Sequence, residues 1–431
     1  MGLVDPALPL RYPAFNMKVL ILGNGAREHA LAWKFSTSRR LCGLYLAPGN
    51  VGTAALGTNL PEVDPYDGKA VAAACRASDV DLVFVGSEAY LEAGVVDALQ
   101  AAGIAAIGPD KHRAQLESSK VFSKEFMLRH GLPTAEAKEF SDPAAYKNYL
   151  DTATGRLVVK KSGLAAGKGV LETQDKAEAL EFGLAVLKDD KLLVEEFLTG
   201  FEVSVFVLSD GKDYVVLPPT ADYKKAKEGD QGPNTGGMGA ICPVPTVDAA
   251  LWKRIIAETV APTMAALNQD GLNYKGILFL GLMITQKGPM ILEYNVRFGD
   301  PETQVLLSLI DSDFGDLVQA MADGTLADYR LELSKKVALG IVVAAPGYPA
   351  DYAKGLVVGP LPLAHDGHFQ VFHASTTQKG PSTLTGGGRC FTAVGVGSTF
   401  DDARRRAYQG AAQISFPGAW YRKDIGDKFL R

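Results

Sequence analysis

The chain is predicted to be a multidomain protein, α/β at its N-terminus and α+β beyond. Three patterns predict this: short apolar runs alternating with alanine-rich helical stretches over residues 17–118, a hydrophobic hairpin running into a polar decad near residue 293, and a β-rich pattern after Arg330. With 431 residues and 46 glycines, it is long enough for roughly two to four subdomains with a sizeable core.

The first 16 residues carry three prolines and an aspartate, have no continuous apolar core and precede a second methionine, Met17, so they read as a tail rather than a secretion signal. Lys18–Leu22, Gly43–Leu46, Asp81–Val85 and Ile104–Ile107 then read as parallel strands separated by helices such as Ala89–Ala102, a Rossmann-like unit ending near Leu116. Its first turn, Gly23-Asn24-Gly25, opens like a dinucleotide fingerprint. However, Glu28 stands at the third glycine position, and Ala47-Pro48-Gly49-Asn50 offers no carboxylate for a ribose hydroxyl. Both departures argue against a nicotinamide site, while the turn's amides and the helix dipole could still hold a sugar phosphate.

Residues 119–330 change style. Ser119-Lys120 opens a helix over Val121–His130, which Gly131-Leu132-Pro133-Thr134 breaks before a mobile lid of strands and helices over about 134–208. Within that lid, Lys160 to Gly169 follows the apolar strand Leu157-Val158-Val159. Gly163, Gly167 and Gly169 let amides approach an anion and Lys160 and Lys168 add charge, so the segment reads as a hairpin expected to close over phosphates. The bland alternative is an ordinary β-turn. Gly232 to Gly239, with Asp222-Tyr223-Lys224-Lys225 upstream, suits a loop closing over a polar substrate. The apolar run Gly276–Thr285 is expected to turn at Gly288-Pro289, resume as Met290–Leu292 and deliver the decad Glu293 to Glu302. Glu293 and Asn295, two apart on a strand, share a face where hard oxygen ligands suit Mg²⁺ holding nucleotide phosphates, and Arg297 follows. A strand-end turn with a surface salt bridge is the alternative. Residues 331–431 form a third, β-rich unit with strands over Val337–Ala344, Phe369–His373 and Phe391–Val396 and a helix over Phe400–Ile414. His365, His368 and His373 read there as loop and strand surface rather than metal ligands.

Taken together and in this order, several segments resemble the ATP-grasp ligases, and within them the glycinamide ribonucleotide synthetase (phosphoribosylamine–glycine ligase) family. They are Val19 to His29, Ala47 to Asn50, Gly163 to Gly169, Glu195-Glu196-Phe197-Leu198, Gly232 to Ala240, Arg297 to Gln304 and the terminal Arg422 to Gly426. The resemblance implies a two-part ATP-grasp domain with the adenine between its halves. It places Lys120 and Lys160 at the phosphates, Glu195 to Leu198 along the base, Glu202 at the ribose hydroxyls, and Mg²⁺ or Mn²⁺ on Glu293 and Asn295. It further implies Arg297 at the transferred phosphoryl group, Asp222 at the glycine ammonium, Gly23, Asn24, Gly25, Asn234, Thr235, Gly236 and Gly237 about the acceptor 5-phosphoribosylamine, and Glu88 and Lys224 among the substrate-binding residues. The chain departs from the family pattern at Lys161, Ser162, Tyr223 and Ser87, and the stretch between Val186 and Leu193 is shorter than usual.

Composition bounds these readings. A formal charge of -5 does not favour a nucleic-acid binder, and Cys42, Cys75, Cys242 and Cys390 show neither a disulfide framework nor zinc-site spacing, which fits a reducing cytoplasm. No apolar run reaches the ~20 residues of a membrane helix. A monomer or weak homodimer acting on small molecules is expected. The competing classes are another ATP-grasp carboxylate–amine ligase with a different acceptor, a nucleotide-binding regulator, and, disfavoured by Glu28 and Asn50, a dehydrogenase.

Overall fold

The computed structural model describes residues 17–165, 169–362 and 368–429. Five parallel strands open it, in the spatial order Thr58–Asn59, Leu41–Pro48, Met17–Gly23, Leu82–Val85, Ala105–Ile107. Val19, Leu20, Ile21 and Leu22 are all fully buried, as a strand covered by helices on both faces requires. The helix expected over Ala89–Ala102 is two helices, Glu88–Ala93 and Val95–Ala101. Gly94 breaks it by adopting φ +87°, a conformation only glycine takes without strain.

Two antiparallel sheets follow. The first, in the order Ala137–Phe140, Leu192–Glu196, Leu157–Lys161, Val170–Thr173, forms the smaller half. The expected lid boundary near Leu208 falls too late. Phe201–Asp210 pairs over its whole length with Lys275–Thr285 in the second sheet, so the smaller half ends at Glu196. That second sheet runs Tyr214–Val216, Phe201–Asp210, Lys275–Thr285, Gly288–Asn295. The hairpin turn also differs from expectation. Thr285 pairs with Gly288 and Ile284 with Pro289, which leaves Gln286-Lys287 as the connection. The Thr285 hydroxyl fixes it, accepting from Lys287 N–H (3.1 Å) and donating to the Gly288 carbonyl (2.9 Å).

The last sheet runs Ala221–Asp222, Gly239–Cys242, Val337–Ala344, Arg389–Gly397, Phe369–His373, and the helix Phe400–Ala411 packs on Arg389–Gly397 and Val337–Ala344. Two of these strands come from before Arg330, so the expected boundary there divides the sequence but not the sheet. The N-terminal unit is also tied in. Asn50 Nδ2 donates to the carbonyls of Asn24 (2.9 Å), His373 (3.0 Å) and Ala374 (3.1 Å), and His29 Nδ1 accepts from His373 N–H (2.8 Å). Buried away from water, His29 and His373 are pushed down to about 3 and about 4 and stand neutral.

Candidate active site

Strand Gly288–Asn295 ends where the sheets meet the N-terminal unit. Tyr294 turns inward, its hydroxyl 2.9 Å from Thr263 Oγ1, which sends Glu293 and Asn295 together to the other face. Gly281 lies opposite Glu293, and a Cβ there would stand 3.3 Å from Glu293 Cγ, so the glycine leaves room for the carboxylate.

Glu293 sits in a positive field. Burial opposes its charge, yet Lys224, Lys120, Lys160 and Arg297 together hold its carboxyl below the usual range. Lys224 is ion-paired with Glu202, and although burial works against its charge, Glu202, Asp222 and Glu293 keep it well protonated. Burial raises the carboxyl of Asp222, and burial followed by the Asp222 charge pushes Glu302 up to about 7. The sequence reading brought Glu202, Asp222, Lys224 and Glu293 to one site, and the fold gathers them. It missed Glu302, buried at the start of the helix Glu302–Leu307.

Arg297 uses most of its guanidinium within the protein. Nη2 donates to Glu117 Oε1 (2.7 Å) and Asn295 Oδ1 (3.1 Å), Nε to Glu88 Oε2 (3.2 Å), and Nη1 to the Phe298 carbonyl (3.3 Å). Desolvation of Arg297 is outweighed by Glu117 and Glu88, so the guanidinium stays charged. Glu88 is held down to about 2, because Arg297 and Arg27 overcome its burial. Burial pushes Glu117 up to about 7 against the pull of Arg297.

On the smaller half, Lys160 Nζ lies 2.5 Å from Glu195 Oε2, and Lys124 Nζ lies 2.8 Å from Glu195 Oε1. All three are buried, and the side-chain oxygens of Glu195 are taken by two lysines. Its backbone is paired on both sides, with Ala137 and Val158. Glu196 Oε1 accepts from Glu136 N–H (3.1 Å), and Phe197 lies beneath the Arg156 guanidinium at 4.0 Å. Phe197 and Leu198 of this segment extend beyond the paired strand, which ends at Glu196. Lys120 caps the same junction, its N–H donating to the Ser162 carbonyl (2.9 Å) and its charge reaching Glu293. Gly163 N–H donates to Asp190 Oδ2 (2.9 Å), and Gly169 N lies just before strand Val170–Thr173. Gly167 and Lys168, with His365 of the C-terminal unit, lie outside the described residues.

The glycine turn of the N-terminal unit is arranged differently from expectation. Gly25 N–H donates to Glu28 Oε2 (2.7 Å), whose other oxygen accepts from Arg27 Nε (2.6 Å), and any Cβ on Gly23, Gly25 or Gly86 would collide with Glu28. Glu28 therefore caps its own helix and takes the Gly25 amide that was expected to face a phosphate. Asn24 stays exposed beside it. The segment Asn234 to Gly237 is built in rather than loose. Thr235 donates through N–H and Oγ1 to the Lys224 carbonyl (2.7 and 2.8 Å), Gly237 N–H donates to Thr235 Oγ1 (2.9 Å), and Gly237 at φ +108° packs on Pro301. Arg389 of the C-terminal unit, also missed, donates to the Gly236 and Asp300 carbonyls (2.6 and 2.7 Å). The run Gly386-Gly387-Gly388 just before it was the available signal. Glu117 gave none, since its partners lie some 180 positions away.

Among the described residues, no group of three or more His, Cys, Asp or Glu forms a metal cage. The pair Glu293 and Asn295 nevertheless suits a hard divalent cation, which commonly takes one or two protein oxygens and completes its shell with phosphates and water. The surrounding lysines match those phosphates.

Models of the phosphoribosylglycinamide synthetase N domain, ATP-grasp (A) domain and C domain match residues 17–117, 118–303 and 338–428. The chain is 43% identical over 423 residues to phosphoribosylamine–glycine ligase of Ralstonia nicotianae, covering 96% of this chain and 100% of that one. The chain belongs to the phosphoribosylglycinamide synthetase family. It is also 42% identical over 419 residues to the trifunctional purine biosynthetic protein adenosine-3 of Gallus gallus, aligning 95% of this chain with only 42% of that longer protein. A crystal structure of phosphoribosylamine–glycine ligase from Thermotoga maritima superposes with a TM-score of 0.83 at 34% identity, over 95% of this chain and 100% of that one. Membership removes the dehydrogenase reading and makes the chain an ATP-grasp ligase of this family.

Proposed function

We infer that the protein joins glycine to 5-phosphoribosylamine, giving glycinamide ribonucleotide, ADP and phosphate in purine biosynthesis. The observation that carries this is the convergence on Glu293 of Lys120, Lys160 and Lys224 from three separate segments, with Arg297 from its own, in a chain of this family. A carboxylate is a poor electrophile. The γ-phosphoryl group of ATP passes to a glycine carboxylate oxygen and ADP leaves. The acceptor amine then attacks the acyl carbon, expelling phosphate and losing a proton. Lys160 and Lys120 neutralise phosphate oxygens, with Glu195 and Lys124 fixing the position of Lys160. Glu202 receives the nucleotide ribose, and Asp222, with Lys224 beside it, takes the glycine ammonium. Arg297, fixed by Glu117 and Glu88, presents its remaining Nη1 hydrogen to the transferred group, since phosphoryl transfer depends on positioning and electrostatics. Glu293 and Asn295 would hold Mg²⁺ or Mn²⁺, which would supply positive charge against the phosphates. The acceptor lies between the Gly23 to Gly25 turn and Asn234 to Gly237.

The cytoplasm is the proposed location; no helix among the described residues is long and apolar enough to cross a membrane. A monomer or weak homodimer, with no nucleic-acid partner, completes the reading. The test is ADP release with each substrate omitted in turn and the product identified by mass. Release should require glycine and phosphoribosylamine together, with alanine a poor substitute because a closed pocket excludes its methyl group. Equal turnover with several amino acids would overturn the assignment.

A further inference from the structure

The amide of Gly25 is bonded to Glu28, so a phosphorylated acceptor beside that turn needs other donors. Arg389 is placed to supply them. Its Nη1 alone makes every hydrogen bond that the side chain has among the described residues, to the carbonyls of Gly236 (2.6 Å), Asp300 (2.7 Å) and Gly237 (3.4 Å). Nε and Nη2 have no partner there, although the side chain is only 23% exposed. An arginine anchored through one nitrogen, with the other edge of its planar fork unused, is preorganised for a bidentate oxyanion.

A second donor stands beside it. Tyr348 Oη accepts from Gly236 N–H (3.1 Å), and the phenolic hydrogen has no acceptor among the described residues. The tyrosine ring occupies the space that a side chain on Gly388 would fill, which fixes it next to Arg389. Gly236 lies flat against the guanidinium, since a Cβ on it would come within 2.9 Å of Arg389 Cζ. Asp300 is the carboxylate that faces this point. Gln304 Nε2 (3.0 Å) and Arg389 Nη1 (3.4 Å) both face its Oδ1, and Arg389 and Arg27 hold it ionised and compensated against its burial. The place adjoins the N-terminal turn, because an ideal Cβ on Gly25 would stand 3.6 Å from Asp300 Oδ2.

We propose that Arg389 and Tyr348 form the subsite for the phosphate ester of the acceptor, so that the C-terminal unit selects phosphorylated over unphosphorylated sugars. This rests on the acceptor reading above. It is tested by steady-state kinetics and by binding of ribose 5-phosphate, a stable probe, against ribose. The wild type should bind ribose 5-phosphate and not ribose. Arg389→Lys should raise KM for phosphoribosylamine ~10–100-fold, the range expected for losing a bidentate charge-assisted pair, with KM for ATP and glycine unchanged. Because Arg389 also holds the loop, Tyr348→Phe is the second variant. It should weaken ribose 5-phosphate binding several-fold while thermal unfolding stays near that of the wild type. Unchanged acceptor KM in Arg389→Lys, or an equal rise for all three substrates with no effect of Tyr348→Phe, would overturn the subsite. A wild type that makes no glycinamide ribonucleotide would instead overturn the function.

Discussion

Glu117 grips Arg297 with one oxygen and the strand end that carries Asn295 with the other. Oε1 accepts from Arg297 Nη2 at 2.7 Å, and Oε2 accepts from Val296 N–H at 2.8 Å. A single buried carboxylate thus sets the distance between the arginine and the strand end that carries Asn295, although it comes from the short helix Gln115–Ser118, where the N-terminal unit ends.

Replacing it should therefore act on chemistry. Glu117→Ala should lower kcat ~10–100-fold, the usual effect of loosening a positioned charge donor, while KM for glycine changes little. Glu117→Gln keeps one acceptor for Arg297 and should fall between. Because burial sets the Glu117 carboxyl at about 7, the wild-type kcat should decline as pH falls through that value, a limb that Glu117→Gln should lack. An unchanged pH profile in the variant would show that Glu117 only supports the strand.

Glu293→Gln and Asn295→Ala should raise the divalent-metal concentration needed for half-maximal activity at least ~10-fold, because the first exchanges an anionic oxygen ligand for a neutral one and the second removes an oxygen ligand. Titrating Mg²⁺ and Mn²⁺ against fixed ATP measures this, and circular dichroism checks that the sheet persists. Full activity with unaltered metal dependence would remove both residues from the site.

Gly237→Ala should lower stability by about 2 kcal/mol or more, combining a positive φ of +108° with a methyl 2.5 Å from Pro301 Cδ. Urea unfolding gives the stability change, and the same variant should lose acceptor affinity as Asn234 to Gly237 shifts. A change below ~0.5 kcal/mol would mean that the loop relaxes freely.

His29 links pH to stability. Burial, and then the neighbouring His373, lower its folded pKa from 6.5 to about 3, so the unfolded chain takes up the proton first as pH falls. The stabilisation is complete above about 6.5 and is lost progressively towards 3. By pH 5 the loss from His29 alone amounts to about 2 kcal/mol. The slope of unfolding free energy between pH 6.5 and 5 should be shallower in His29→Gln. Equal slopes would place a protonatable His29 in the folded state.

The strands of the N-terminal unit and the hairpin before Glu293 were readable because apolar runs of the right length leave few alternatives. Glu293, Asn295 and Lys160 stand in motifs whose residues lie close in sequence, so the sequence singles them out as candidates. The ion pairs of Glu195 are not legible in the sequence, because only the fold brings Lys124 and Lys160 to its two oxygens. Glu28 was noticed only as a missing glycine, since its bond to the Gly25 amide depends on backbone geometry that sequence spacing does not express. Glu117 and Arg389 act on partners far along the chain and left little or no local pattern. The hairpin turn was misplaced by two residues because Gly-Pro is a strong turn signal, whereas here Pro289 pairs with Ile284 in the outermost strand of its sheet, where a missing N–H is tolerated.

Gly239–Cys242 is hydrogen-bonded to Val337–Ala344, which makes the C-terminal portion impossible to excise cleanly. A chain truncated after Arg330 would expose Gly239–Cys242 as a raw, apolar sheet edge, the kind of surface that recruits other chains into aggregates. Melting should accordingly be a single concerted event for the larger ATP-grasp half and the C-terminal sheet. In a fusion polypeptide, the permissible junctions lie outside residues 17–429 rather than between the sequence-defined parts.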